Sequence, residues 1–144
     1  MTLPVYVHLK PGDALPKLRN ANFFKAILVI EADAPTAWRD ATADWLVGSG
    51  CRYLSAWGRS CGTWHDCVDL ANLRAFDFAE IPDDDFVMTT WHAKEPLKDV
   101  FWFVGQSAAH PTVSIEETYI IHIAPNERSA ELLEAFHNAQ ILEG

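Results

Sequence analysis

Ser60 and Cys61 are the side chains of this sequence best placed for nucleophilic chemistry. They lie in the run Gly58-Arg59-Ser60-Cys61-Gly62, between a predicted strand and a predicted helix. Glycines allow a sharp turn there, and backbone N–H groups at the start of the following helix can stabilise an oxyanion. A thiol at a helix N-terminus also ionises more readily, which makes it a better nucleophile. With His92 approaching from a neighbouring strand end, these residues form the predicted catalytic set.

The same turn matches the pattern G-x-S-x-G, and so it resembles the nucleophile elbow of the α/β-hydrolase family, with Ser60 at the nucleophile position. The resemblance covers five residues and their setting rather than the whole chain. The family order of nucleophile, acid and histidine could be filled by one of Asp83 to Asp85 with His110 or His122, and the sequence does not choose among them. The plainer interpretation is an ordinary glycine-rich turn, so whether the chain is an enzyme stays open.

Other polar and aromatic side chains are predicted at the carboxyl ends of strands, where open α/β sheets bind ligands. The N–H groups of the glycine-rich turn suit a phosphate group, and tryptophans can hold a flat ring between them. The sequence therefore predicts a site for a small ligand such as a nucleotide or another phosphorylated molecule. Its predicted residues are Asp33, Trp57, Arg59, Trp91 and His92.

The cysteines and histidines do not have the spacing of a metal site. Cys61-x₃-His65-x-Cys67 is not a zinc pattern, and two residues that are two positions apart on a helix, such as His65 and Cys67, point to nearly opposite sides. The three cysteines are an odd count, which does not suggest a disulfide framework and fits a reducing compartment. Neither a metal nor another cofactor is predicted.

Strand and helix patterns alternate along the chain and must position these side chains. Residues 25–30 are an apolar run typical of a strand buried on both faces of a parallel sheet, and helical stripes separate it from further predicted strands. This alternation predicts one three-layer α/β domain, Rossmann-like or flavodoxin-like. Its mainly parallel sheet would have four to five strands with helices on both faces. We assign the domain to residues 23–144 and an extended N-terminal arm to residues 1–22, without predicting the strand order.

The composition excludes several classes of partner. The chain has 11 basic and 20 acidic residues and a net charge of −9, whereas nucleic acids and anionic membranes attract clustered Lys and Arg. The sequence lacks a run of about 18 uncharged apolar residues that could span a membrane. The start, residues 1–6, also lacks the basic and apolar segments of a signal peptide. We expect a cytoplasmic protein.

An excess of aromatic residues on one predicted helix suggests a protein interface. Phe101-Trp102-Phe103 surrounds the helix with more aromatic surface than one buried face needs. Trp102 and Phe103 are therefore the predicted interface residues, in a homodimer or against another chain. Together with the acidic charge, this favours a regulatory or immunity-like protein that binds a protein partner or a small ligand. The alternative is a small serine or cysteine hydrolase that uses the Gly58–Gly62 turn.

Four short phrases in a fixed order resemble a small bacterial domain family of unknown function. They are Ala56-Trp57-Gly58, Trp64-His65-Asp66, Trp91-His92 and Ile121-His122-Ile123. The resemblance spans about residues 23–136 and implies a bacterial origin but no particular activity. The alternation of His122 with two isoleucines favours a hydrogen-bonded core residue. The roles of His65 and His110 and the oligomeric state are not predicted.

Overall fold

Five strands and four α-helices alternate along the chain in a computed structural model that describes residues 3–18 and 22–142. Residues 1, 2 and 19–21 of the predicted arm, and residues 143–144 of the predicted domain, lie outside the described residues. The elements are β1 (Val5–Leu9), β2 (Phe24–Ile30), α1 (Thr36–Ser49), β3 (Cys51–Gly58), α2 (Cys61–Arg74), β4 (Met88–His92), α3 (Leu97–Gln106), β5 (Glu117–Ile123) and α4 (Ser129–Leu142).

All five strands form one parallel sheet in the order β1-β5-β2-β3-β4. This confirms the predicted α/β fold. The register of the outermost pair runs from Val5 opposite Tyr119 to Leu9 opposite Ile123. Part of the predicted arm therefore supplies an edge strand of the sheet.

The central strand β2 separates two apolar cores because its successive side chains point to opposite faces. Ala26, Leu28 and Ile30 pack in a cluster with residues of α1 and α2. Ile27 and Val29 pack in a second cluster with residues of α3 and α4. Burial on both faces explains why this strand is a continuous apolar run, and it gives the three layers that the sequence predicts.

Glycine is required at the point where β3 turns into α2. Gly58 has φ +102°, and a Cβ atom at this position would collide with the backbone carbonyl of Ile30. Arg59 N–H donates to the same carbonyl oxygen at 2.9 Å, which ties the turn to the end of β2. Ser60 then adopts a left-handed φ of +54° and is the N-cap of α2. The helix consequently begins at Cys61, directly after the turn.

Candidate functional site

The loops that follow β2, β3 and β5 meet at the carboxyl edge of the sheet. The chain runs from β2 to β3 on one side of β2, while β5 lies on the other side. Glu31 N–H donates to the carbonyl of Ile123 at 2.8 Å, just beyond the paired strands. A reversal of strand order of this kind is where open parallel sheets bind their ligands.

A cleft of about 210 Å³ lies between the β2–α1 loop and the β3–α2 turn. We call it the turn cleft and define it by Asp33, Arg39, Arg59 and Ser60, which lie around the buried Trp64. An Arg59 Nη1 to Asp33 Oδ2 distance of 3.3 Å joins two side chains that are 62% and 84% exposed. Such a solvated pair contributes little stability, so both groups are available to a ligand.

The turn cleft also adjoins the first turn of α2. Ser60 is exposed, and its side chain makes no capping hydrogen bond to the helix. The N–H groups of a first helical turn lack partners within the helix and form its positive end. Arg39 adds a guanidinium whose Nε is buried and has no hydrogen-bond partner among the described residues. Burial raises the pKa of the adjacent Cys67, although the Arg39 guanidinium acts to lower it.

The structure does not bring the predicted catalytic residues together. Cys61, the first residue of α2, is 3% exposed, and it packs in the core cluster on the α1–α2 face of the sheet. His92 lies on the opposite face of the sheet, where its ring is 5.6 Å from that of Phe103 on α3. Its Nδ1 is 2.7 Å from Glu95 Oε2, and its Nε2 is 2.9 Å from the hydroxyl of Thr90. Neither ring nitrogen of His92 is therefore directed at Ser60 or Cys61.

The predicted ligand-binding residues divide into three groups. Asp33 and Arg59 share the turn cleft. Trp57 lies with His92, and its Nε1–H donates to the carbonyl of Glu95 at 2.8 Å. Trp91 is exposed on the α2 side, where its ring lies 4.4 Å from that of His65. Only two of the five predicted residues thus line one cavity.

The predicted interface residues on α3 are only partly accessible. Phe101 is fully buried, while Trp102 and Phe103 are half-buried. Phe103 covers Tyr53, with ring centroids 6.2 Å apart, as well as His92. Much of the aromatic excess of this helix therefore packs within the chain itself.

A buried polar network at the reversal of strand order was not predicted as a unit. His122 is fully buried, and its Nε2–H donates to Glu31 Oε1 at 2.7 Å. Tyr6 O–H donates to His122 Nδ1 at 2.6 Å and accepts the backbone N–H of Arg128 at 3.0 Å. Arg128 Nη2 lies 2.8 Å from both Glu31 oxygens. Two features of the sequence point to this network. They are His122 between two isoleucines and the carboxylate of Glu31 at the end of a predicted strand.

Glu31 and the burial of His122 favour one arrangement of protons in this network. Because the Glu31 carboxylate can only accept, His122 carries a proton on Nε2, and in the neutral ring Nδ1 accepts from Tyr6. Burial lowers the pKa of His122, although the Glu31 carboxylate opposes this. Burial alone would raise the pKa of Glu31, but the hydrogen bonds from Arg128 and His122 outweigh it and hold that pKa below its ordinary value. The network is therefore a satisfied set around a charged Glu31–Arg128 pair.

His65, Asp66 and Asp69 form the one metal-type cluster found among the described residues, with ligand atoms within 4.8 Å of one another. His65 Nδ1 is 3.0 Å from Asp66, and its Nε2 is 3.5 Å from Asp69. Asp69 also accepts the hydroxyl of Thr89 at 2.6 Å. Contacts within the chain account for this arrangement, and it carries no prediction of a metal.

A family model for a domain of unknown function (DUF7684) matches residues 5–139, nearly the whole chain. The chain belongs to the DUF7684 family. The matched segment begins with β1 and extends into α4, so the DUF7684 domain contains both the turn cleft and the His122 network. No curated protein and no solved structure matches the chain. Over the described residues, the helices are too short or too polar to cross a bilayer.

Proposed function

We propose that this domain acts by binding, and that the turn cleft takes a small anionic ligand such as a phosphorylated metabolite. The observation that carries the proposal is that Arg39 of α1 and Arg59 of the β3–α2 turn line one cleft. Guanidinium groups bind phosphate and carboxylate oxygens with two parallel hydrogen bonds. The adjoining first turn of α2 adds N–H donors and a positive dipole end.

Asp33 acts as an internal competitor for Arg59 in this scheme. Its carboxylate lies 3.3 Å from the guanidinium while both side chains are largely in water. A ligand with two negative charges can displace it at small cost, because exposed ion pairs contribute at most about 1 kcal/mol. The chain is otherwise strongly acidic, with a net charge of −9. The two arginines therefore attract an anion to the turn cleft, whereas the net negative charge of the chain repels it.

The alternative function, a small serine or cysteine hydrolase, has less support. Ser60 lies at an exposed strand–helix turn, which suits a nucleophile. Catalysis would also require a base within hydrogen-bond reach. Among the described residues, no histidine makes a hydrogen bond to Ser60, while Cys61 is buried.

Calorimetric titration and thermal unfolding with inorganic phosphate, AMP and adenosine test the binding proposal. We expect the two phosphate-bearing compounds to bind and to raise the unfolding temperature, and adenosine to do neither. Arg39→Gln and Arg59→Gln should each weaken binding about tenfold, which corresponds to about 1.4 kcal/mol. Asp33→Asn should strengthen it because the competitor is removed.

Arg74→Gln is the matched control, since Arg74 also lies on the α2 side of the molecule but pairs with Asp44 at 2.6 Å. It should leave the affinity unchanged. The proposal fails if neither phosphate compound binds, or if Arg74→Gln weakens binding as much as the cleft variants do.

A further inference from the structure

A second surface, separate from the turn cleft, leaves large apolar side chains in water. Among them, Phe78 is 62% and Trp91 is 53% exposed. Large apolar side chains that are exposed in one region of a surface mark an interaction site more often than single scattered ones do. We call this surface the α2–β4 flank and define it by Leu70, Leu73, Phe78, Phe86 and Trp91.

Hydrogen bonds fix the backbone at Leu73, Phe78 and Phe86, three of the five residues. Phe78 N–H donates to the carbonyl of Leu73 at 2.9 Å, which folds the chain back at the end of α2. Asn72 accepts the N–H of Val87 at 2.9 Å and donates to the carbonyl of Asp85 at 3.0 Å. Phe86 lies between Asp85 and Val87 in the chain and is therefore held next to the last turns of α2.

Trp91 continues the surface toward the start of α2. Its ring lies against that of His65, which is in the first turns of α2. Leu70 and Leu73 are three positions apart and thus form neighbouring ridges of the helix surface. The five side chains therefore lie on the outer part of α2, on the segment that follows it and on the adjoining edge of the sheet.

The surroundings of the α2–β4 flank are strongly acidic. Residues 65–91 contain seven of the 20 acidic residues of the chain and one of its 11 basic residues. Four of the acidic side chains, at positions 77, 80, 83 and 84, are in the exposed segment between α2 and β4. An apolar patch with such a border complements a partner that presents apolar side chains among lysines and arginines.

We propose that the α2–β4 flank is the docking site of a basic protein partner. Apolar side chains of the partner cover Phe78, Phe86 and Trp91, and its cationic side chains face the acidic border. A second copy of this chain is disfavoured as the occupant, because two such borders would repel each other across a two-fold interface. The inference is independent of anion binding in the turn cleft, which lies on the α1 side of α2.

Site-specific photo-crosslinking in cells of the native host tests the identity of the occupant. The full chain carries a benzophenone amino acid at Phe78 or, as a control, at Ile141, an apolar residue of α4 that is 57% exposed and outside the flank. We expect a product at Phe78 that is absent at Ile141, and mass spectrometry should map it to a partner segment rich in lysine and arginine. A neutral or acidic segment, or no product specific to Phe78, overturns the proposal.

Binding of the mapped segment as a synthetic peptide tests the chemistry. We expect Phe78→Ser and Trp91→Ser each to weaken binding at least about tenfold and Ile141→Ser to leave it unchanged, while added salt weakens binding to the parent chain. A peptide with lysines and arginines replaced by glutamines should bind poorly. Light scattering tests whether a second copy of the chain covers the flank. If the parent chain is a dimer and Phe78→Ser dissociates it, the second copy is the occupant and the proposal is overturned. Loss of phosphate binding leaves all of these measurements unaffected.

Discussion

The hydroxyl of Tyr6 donates to Nδ1 of His122 across a distance of 2.6 Å, although 116 positions separate the two residues in the chain. The bond is possible because β1 and β5 are parallel neighbours, with Tyr6 opposite Ile120 and His8 opposite His122. It also joins β1 to Glu31, the other hydrogen-bond partner of the imidazole. One buried ring thus links three strands at the point where the strand order reverses.

Removal of the Tyr6 hydroxyl is expected to destabilise the fold. Tyr6→Phe leaves His122 Nδ1 without a donor and the backbone N–H of Arg128 without its acceptor. An unsatisfied buried polar group costs about 1–3 kcal/mol, so the free energy of unfolding in urea should fall by about that amount. Tyr53→Phe is the control, since the Tyr53 ring packs against Phe103 and its hydroxyl takes no part in the network around His122. Equal losses in the two variants would contradict the role of the hydroxyl.

Acidification is expected to destabilise the fold in two stages. Burial lowers the pKa of His122 below 6.5, so the unfolded chain takes up the proton first and stability falls as the pH drops below about 6.5. The pKa of Glu31 lies below 4.5 in the folded chain, so a further loss begins near pH 4.5 and continues as the pH falls through the folded pKa. Urea unfolding at a series of pH values between 8 and about 2 measures both stages.

His122→Gln should flatten the first stage because the variant no longer carries a titrating ring in the network. His137→Gln, at an exposed position of α4, is the matched control and should keep the parent slope. An unchanged slope in the His122 variant would show that other groups set the pH dependence.

Alanine at two glycines is expected to have opposite effects. In Gly58→Ala the alanine would need a left-handed backbone, and its Cβ would collide with the carbonyl of Ile30. We therefore expect the free energy of unfolding to fall by about 2 kcal/mol or more. Gly48 lies within α1, and an added Cβ would meet no atom within 4 Å. Gly48→Ala should therefore raise the free energy of unfolding by about 0.5–1 kcal/mol. Thermal and urea unfolding of the two variants give the comparison. A tolerated Gly58→Ala would mean that the turn is not held as described.

Chemical probes of the native chain test the hydrolase alternative. We expect iodoacetamide to modify Cys67 before Cys61 or Cys51, because Cys67 is half-buried and the other two are buried. Burial also raises the pKa of Cys51 to about 12, which removes its thiolate at neutral pH. A fluorophosphonate should leave Ser60 unmodified, since a base is needed to activate it. Rapid modification of Cys61 or Ser60 in peptide mass maps would restore the enzyme hypothesis.

The fold could be predicted because each signal was local. An apolar run such as that of β2 and the helical stripes between strands follow from burial on one or both faces of a sheet. The exact start of α2 depends instead on the close approach of Gly58 to Ile30, a contact between two strands. Such a contact cannot be read from a capping pattern.

The site could be predicted only in part, for reasons of sheet geometry. Asp33 and Arg59 follow adjacent strands, so their proximity depends only on parallel pairing. His92 and Cys61 lie on opposite faces, which depends on the alternation of side chains in β4 and on which helices cover each face. Arg39 was missed because it enters the cleft from the first turns of α1. The Tyr6–His122 contact depends on β1 pairing with β5, which no local pattern indicates.

The position of β1 has a consequence for synthesis on the ribosome. Val5–Leu9 is the first strand of this sheet to emerge, yet β5, the strand with which it pairs, is the last strand of the sheet, at Glu117–Ile123. Until then, β1 has no partner strand and one side of β2 is open. Contacts of such long sequence separation form late and slowly. Chaperones that shield the growing chain are therefore expected to matter most before residue 117 leaves the exit tunnel.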